Sequence, residues 1–409
     1  MITRVEALSF RSLRRVAQDL DSFHILVGPN GSGKSTFFDV LGFLADFLSD
    51  GVEGAVGKRS NDPMDLFWHR EGEVLEVAIE ARLPPGIRPQ GPGRNHVRYE
   101  AAFEMQGESQ ELTVAHERLA VVEARTLASP SVPAPERDTL VIGSDPAGDA
   151  VVRTRDGTCQ YIYEVIGADG GRSLSRFRIG RGKSALGNLP EDEQNFPAAS
   201  WLRKYLTEAC VVVRLQDFAL RRPSQAKGKV VLGDGSNLAC MVRALEKQSP
   251  EAFDDWLAQL RAAIPGFEGV RVWERPDERR PYLSLRLAGK VEVPSFGLSD
   301  GTLRFMALSL LTHQTNNPAS FLVEEPENGI HPWNIELAFQ ALSAVHQGQV
   351  LVATHSPLLV GLAQPEQLLC FTLDESGSTR ILQGSKHPAL QQWQREVDLG
   401  TLFAAGVFQ

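Results

Sequence analysis

The chain has 409 residues, 42% of them hydrophobic and 23% charged, an ordinary balance for a globular protein and too much chain for one simple core. Its formal net charge is −9, so its overall field does not draw it to nucleic acid, and no segment approaches the length of a membrane span. Cys159, Cys210, Cys240 and Cys370 stand far apart without a Cys-x-x-Cys pair, and the N-terminus lacks the regions of a signal peptide; both argue against a disulfide framework or zinc ribbon and predict a cytoplasmic protein with reduced thiols.

Residues 1–50 read as strand, strand, loop and helix. Phe23-His24-Ile25-Leu26-Val27 predicts a buried strand, and Phe37, Leu41, Leu44 and Leu48 recur at helical spacing from Thr36 onward. Between them lies Gly28-Pro29-Asn30-Gly31-Ser32-Gly33-Lys34-Ser35-Thr36, which meets the phosphate-loop formula at every fixed position. Glycines let backbone N–H groups turn inward around phosphate oxygens, and a helix N-terminus adds positive dipole. Lys34 supplies charge for terminal phosphates, and the Ser35 hydroxyl suits magnesium. Gly180-Arg181-Gly182-Lys183-Ser184 shares the Gly-Lys-Ser ending, but Phe177 stands where the first glycine is needed. That segment reads as a basic hairpin or loop.

From about 70 to 185, alternating runs such as Val74–Ile79, Val97–Tyr99 and Tyr161–Val165 are separated by Gly- and Pro-rich segments, the pattern of an antiparallel β lobe with long loops. A helical section follows. Ser236 is placed as the N-cap of a helix with Leu238, Met241, Val242 and Leu245 on one face; Ser249 caps a second, opened by Pro250, with Phe253, Trp256, Leu257 and Leu260 inward. Strands and helices return from about 291, without internal repeats or sustained heptads. DNA contact would have to come from local clusters such as Arg14-Arg15, Arg221-Arg222 with Lys227 and Lys229, or Arg279-Arg280. A solvated face accounts for each of these as well.

Ser299 and Gly301 precede an apolar helix containing Leu303, Met306, Leu310 and Leu311, a second candidate anion site. Phe321-Leu322-Val323 is an apolar strand end followed by Glu324 and Glu325. A phosphate-cleaving site needs one acid near magnesium and another to activate water, and adjacent strand residues point to opposite sides. An ordinary acidic turn explains the same pair. The buried strand Val350–Ala353 then delivers Thr354 and His355, a lone histidine that a structural role also explains.

In this order the segments resemble the ATP-binding cassette ATPases of the chromosome-maintenance, RecF and OLD group. Gly28–Thr36 is similar to Walker A, Phe321–Glu325 to Walker B, Leu298–Thr302 to the signature motif and His355 to the switch histidine. Phe10-Arg11-Ser12-Leu13 resembles the first-strand motif whose Arg and Ser approach the nucleotide, and Pro326–Pro332 holds the D-loop position. More narrowly, the chain resembles compact ATPases that stand near antiphage-defence nucleases. It departs from the pattern in three respects. Glu324 replaces the usual Walker B aspartate, no Q-loop glutamine is assigned, and only about fifty residues follow His355, too few for a Toprim nuclease domain.

The resemblance implies an α/β fold: an ABC-ATPase head with a mixed or parallel P-loop sheet, an antiparallel β lobe and a helical signature subdomain. Its divisions are expected at 1–70 (ATPase core with Walker A), 71–200 (β lobe), 201–290 (helical insert) and 291–409 (core with signature, Walker B and switch histidine). It implies ATP and Mg2+ as cofactors. Arg11, Ser12, Gly28, Asn30, Gly31, Ser32, Gly33, Lys34, Ser35 and Thr36 would bind nucleotide in one subunit, met by Ser299 and Gly301 of another. Ser35 and Glu324 would hold the metal, Glu325 would be the base, and His355 would sense the γ-phosphate. The implied activity is ATP hydrolysis between head-to-tail heads of a homodimer or higher even oligomer. The expected use is as the sensor or regulator of an antiphage system with a separate effector, a nuclease or toxin, and no membrane partner. A RecF-like repair ATPase on double-stranded DNA and an ATP-bound scaffold with negligible turnover are the alternatives.

Overall fold

The computed structural model describes residues 1–87, 94–107, 111–123, 139–140, 150–155, 158–164, 173–224, 231–274, 280–313, 319–345, 348–391, 393 and 397–408. Much of the Gly- and Pro-rich sequence of the β lobe, together with Lys227, Lys229 and Arg279, lies outside the described residues. The chain forms two compact units, each drawn from separate stretches: Met1–Asp21, Asn30–Cys210 and Thr372–Ile381 in the first, Ser22–Pro29, Val211–Phe371 and Leu382–Gln409 in the second.

Strands β1 (Ile2–Phe10) and β2 (Leu13–Asp19) open the first unit, and β3 (Phe23–Val27) belongs to the second. The first unit continues through α1 (Lys34–Gly57), β4 (Val74–Arg82), β5 (Arg94–Gln106), β6 (Glu111–Glu123), β7 (Ala150–Arg155), β8 (Thr158–Ile162), β9 (Leu174–Arg178) and α2 (Pro197–Lys204). Its strands make an eight-stranded sheet in the order β2-β1-β4-β5-β6-β7-β8-β9, antiparallel throughout. Alternation along β5 sorts its two faces. Phe103 packs edge-on against Phe43 and Phe47 of α1, with ring centroids 5.2 and 4.9 Å away. On the other face the buried Arg98 reaches Glu6 at 2.6 Å, Glu80 at 3.0 Å and Glu100 at 2.5 Å. Burial alone would raise the Glu6 pKa, but Arg98 and Arg4 together outweigh it and hold the carboxyl below its ordinary range. The Gly180–Ser184 segment turns after β9. Its Gly182 carbonyl accepts the Val52 N–H at 2.8 Å, and Ser184 donates to the buried Glu117 at 2.7 Å.

The second unit adds β10 (Cys210–Val213), α3 (Asp217–Arg221), α4 (Leu238–Gln248), α5 (Pro250–Ala263), β11 (Phe267–Glu274), β12 (Pro281–Leu287) and β13 (Val291–Pro294). Then come α6 (Asp300–Leu311), β14 (Ser320–Glu324), α7 (Ile335–Ser343), β15 (Gln349–Ala353), α8 (Pro357–Gly361), β16 (Leu368–Leu373) and β17 (Thr379–Gln383). Strands β10, β16 and β17 each pass from one unit to the other. The six-stranded sheet runs β10-β14-β15-β3-β16-β17, with β14, β15, β3 and β16 parallel. Its strands are apolar runs such as Val350-Leu351-Val352-Ala353, buried at every position, as a parallel sheet covered on both faces requires.

Two of the expected helix details shift. Helix α4 begins at Leu238 with Asn237 at the cap position, not Ser236. Asn237 turns its side-chain oxygen to the Leu232 N–H at 2.9 Å instead, while the Ser236 N–H is held by Asp234 at 2.9 Å. On α5, Trp256 and Leu260 are buried but Phe253 and Leu257 only half-buried. The Trp256 indole N–H donates to Ser309 of α6 at 2.9 Å, which satisfies a donor that would otherwise be buried alone. Among the described residues no helix is long and apolar enough to cross a membrane.

Candidate nucleotide site

Parallel pairing in the second unit sets three strand ends side by side. Glu324 is in register with Ala353, and Ala353 with Leu26. The Glu325 N–H donates to the Ala353 carbonyl at 2.8 Å and the Thr354 N–H to the Leu26 carbonyl at 3.2 Å. Gly28, Glu324, Glu325 and His355 therefore leave one end of the sheet together, the end where open α/β sheets bind ligands.

The two glutamates are held differently. Glu324 is clasped by Arg214, with Nε to Oε2 at 2.6 Å and Nη2 to Oε1 at 2.7 Å. Glu325 is exposed, and its backbone lies at φ 46°, a conformation that non-glycine residues hold only under constraint. Asn328 supplies part of that constraint: its N–H donates to the Glu325 carbonyl at 3.0 Å and its side-chain amide donates to the Glu325 carboxylate. Glu327 of the same turn accepts from the Thr354 hydroxyl at 2.6 Å and the His355 N–H at 3.0 Å. The turn after β14 is thereby pinned to the end of β15.

Ser299 is the N-cap of α6, accepting from the Thr302 N–H at 3.2 Å. Gly301, expected ahead of the helix, lies inside its first turn, where a Cβ would stand 2.4 Å from the Gly329 carbonyl oxygen. Glycine at 301 thus lets the helix start touch the turn that carries Glu325. Arg221 braces this start by bonding Asp300 at 2.6 Å, and Arg304 bonds Asp217 of α3 at 2.7 Å. Arg222 stands 3.5 Å above the ring of Phe218. These arginines make intramolecular contacts.

In the first unit, Gly31 and Gly33 have φ of 78° and 100°, a region glycine enters without penalty. Gly33 is also closely packed: a Cβ there would fall 2.2 Å from the Thr379 hydroxyl and 2.9 Å from that of Ser12. The Thr379 hydroxyl donates to the Ser32 carbonyl at 3.0 Å and shares a hydrogen bond with the Ser12 hydroxyl at 3.1 Å, so Ser12 is tied to the loop through Thr379. Arg11, at φ 52°, reaches Asp39 of α1 at 3.0 Å. Asn30 and Ser35 are exposed, Thr36 is half-buried and Lys34 is buried. Arg14 and Arg15 line a cavity of about 330 Å³ with Trp68 and Glu76.

The loop residues fit a phosphate group. Among the described residues no side chain caps the start of α1, and its first turn holds no acid to repel an anion. The Ser32 hydroxyl is fully buried without a hydrogen-bond partner among them. In the second unit, the Glu324 carboxylate is an oxygen donor of the kind magnesium takes. Glu327 lay inside the expected D-loop segment without a role of its own, and Arg214 and Thr379 went unnoticed in the sequence. Arg214 carried one signal, a charge directly after the apolar run Val211-Val212-Val213; Thr379 carried none beyond its polarity.

A family described as "AAA domain, putative AbiEii toxin, Type IV TA system" matches residues 23–208 and 248–361, well over half of the chain. No curated protein matches in sequence. Among solved structures, an SMC head bound to the C-winged helix domain of ScpA is similar at 15% identity and TM-score 0.50, over 93% of this chain and 97% of that one. An SMC head domain from Thermotoga maritima gives 13% and 0.44, over 93% and 98% of the two chains. A Pyrococcus furiosus Smc head with an extended coiled coil gives 14% and 0.47, over 93% and 95%. The first of these likenesses shows the fold, a mixed α/β ATPase head. The chain belongs to the AAA-domain family of that description, and its fold is that of an SMC head.

Proposed function

We propose that this protein hydrolyses ATP between two heads joined head to tail and uses the cycle as a switch in an antiphage defence system. The observation that carries the nucleotide reading is the start of α1: a glycine loop, with a helix N-terminus uncapped and a buried Ser32 hydroxyl unpartnered among the described residues. In this reading, backbone N–H groups of Gly31 to Ser35 and the Lys34 ammonium bind the phosphates, Arg11 and Ser12 border them, and Thr379 fixes the loop. Ser35 and Glu324 would hold magnesium, which would neutralise phosphate charge. Glu325, fixed by Asn328, takes the proton of the attacking water, and His355, fixed through Glu327, contacts the γ-phosphate. Ser299 and Gly301 of the second head complete the site. Two exposed rings support a protein surface there: Phe296, 60% exposed, precedes Ser299, and Trp333, 82% exposed, follows the Gly329 turn.

The family's description names a putative toxin of a type IV toxin–antitoxin system, which supports placing the protein in a toxin–antitoxin context. A cytoplasmic sensor that restrains a separate nuclease or toxin fits it. Purification from the native operon, with identification of the co-eluting protein, tests the effector; the absence of any effector in an active complex would reject it. One observation favours a second reading, an ATP-bound scaffold of negligible turnover: both oxygens of Glu324 are occupied by Arg214. ATP retained through purification without measurable hydrolysis would select that reading.

Site variants test the chemistry. Glu325→Gln should keep ATP binding and lose about a hundred- to ten-thousandfold in turnover. Lys34→Ala should abolish nucleotide binding. Wild-type hydrolysis by Lys34→Ala would show that Gly28–Thr36 is not the working loop, and loss of turnover in Glu324→Gln but not Glu325→Gln would exchange the two roles.

A further inference from the structure

The two members of the Arg214–Glu324 pair differ in exposure. The backbone of Arg214 is anchored independently of its side chain, its N–H donating to the Gly233 carbonyl at 2.8 Å. No side chain fits at position 233, where a Cβ would stand 2.0 Å from the Val212 carbonyl oxygen. The side chain of Arg214 is 58% exposed and that of Glu324 only 16%. The guanidinium therefore stays solvated if it swings away, while the less exposed carboxylate remains at its strand end and calls for another cation. Two parallel charge-assisted bonds hold the pair closed. An aspartate would fall short of this clasp by the length of one C–C bond.

We infer that Arg214 is the positioning residue of Glu324, an exchangeable counter-ion that holds the carboxylate in its metal-free arrangement and competes with magnesium for it. This rests on the proposed role of Glu324 as a metal ligand. A positive charge beside both oxygens opposes a divalent cation, so removing that charge favours the metal. A merely structural pair has the opposite consequence: without Arg214 the carboxylate loosens and metal binding weakens.

The test uses the full chain carrying Glu325→Gln, in which nucleotide binding is read without turnover. Magnesium is titrated against a fluorescent ATP analogue. Adding Arg214→Ala should lower the magnesium concentration at half-saturation by about three- to tenfold. Arg214→Lys should lower it less, because the charge remains. Arg214→Gln serves the same comparison if the alanine variant does not fold. In a Glu324→Gln background, Arg214→Ala should leave the magnesium requirement unchanged. An equal or higher requirement in Arg214→Ala, or the same shift without the Glu324 carboxylate, overturns the inference. Failure of the Glu325→Gln parent to bind the analogue at saturating magnesium overturns the nucleotide reading instead.

Discussion

The Thr354 hydroxyl donates to Oε1 of Glu327 at 2.6 Å, and the same oxygen accepts the His355 N–H at 3.0 Å. One carboxylate thus joins the turn after β14 to the residue expected to sense the γ-phosphate. Thr354 is fully buried, so Glu327→Ala leaves its hydroxyl without this acceptor, at a cost of about 1–3 kcal/mol. Urea unfolding should show that loss, and ATP turnover should fall by about tenfold or more as His355 loses its anchor. Stability and turnover both unchanged would show that the link has no consequence.

Gly301→Ala should destabilise the second unit. Its Cβ would stand 2.4 Å from the Gly329 carbonyl oxygen, and backbone on both sides leaves only helix displacement as relief. Overpacking of this kind costs about 1–3 kcal/mol. Gly57, near the end of α1, has nothing within 4 Å of an added Cβ, so Gly57→Ala is the control and should change stability by less than about 1 kcal/mol. Equal unfolding midpoints for the two variants would refute the close-packing account of Gly301.

Ser299→Arg should abolish hydrolysis while sparing ATP binding by a single head. Ser299 is exposed at the start of α6, and the proposed site needs it only from the second subunit. Affinity should change by less than about tenfold, or roughly 1.4 kcal/mol. Mixing Ser299→Arg with Lys34→Ala creates pairs with one intact loop facing one intact signature, so part of the activity should return. No recovery despite demonstrated subunit exchange would count against head-to-tail sharing.

Stability should fall as pH drops through the histidine range. Burial pushes the His313 pKa below its usual value of 6.5, with Asp255 opposing weakly, and burial lowers His96 and His387 in the same sense. In the unfolded chain these rings take up protons near pH 6.5, before the folded ones do, so stability is intact above that value and declines below it. Each such proton contributes a slope of at most about 1.4 kcal/mol per pH unit. Urea titrations from about pH 7.5 to 5.5 should show a shallower slope for His313→Gln than for the parent. Parallel slopes would remove His313 from the account.

Some of this was legible before any coordinates. The phosphate loop is a contiguous pattern, and its glycines are dictated by backbone angles that few other residues adopt. Apolar runs such as Phe321-Leu322-Val323 and Val350–Ala353 announce buried strands, and the polar residues that follow them announce strand ends; their parallel pairing came from the fold. Partners distant in the chain were a different matter. Arg214 meets Glu324 across 110 residues and Thr379 meets Ser32 across 347, and no local periodicity encodes either pairing. Strand order decided which side chains emerge together, and close packing decided that Gly301 serves helix contact as well as any anion. Short-range sterics and hydrophobic spacing act within a few residues and so can be read along the chain. Hydrogen-bond partnership acts through space, and only the folded sheet determines which residues share that space.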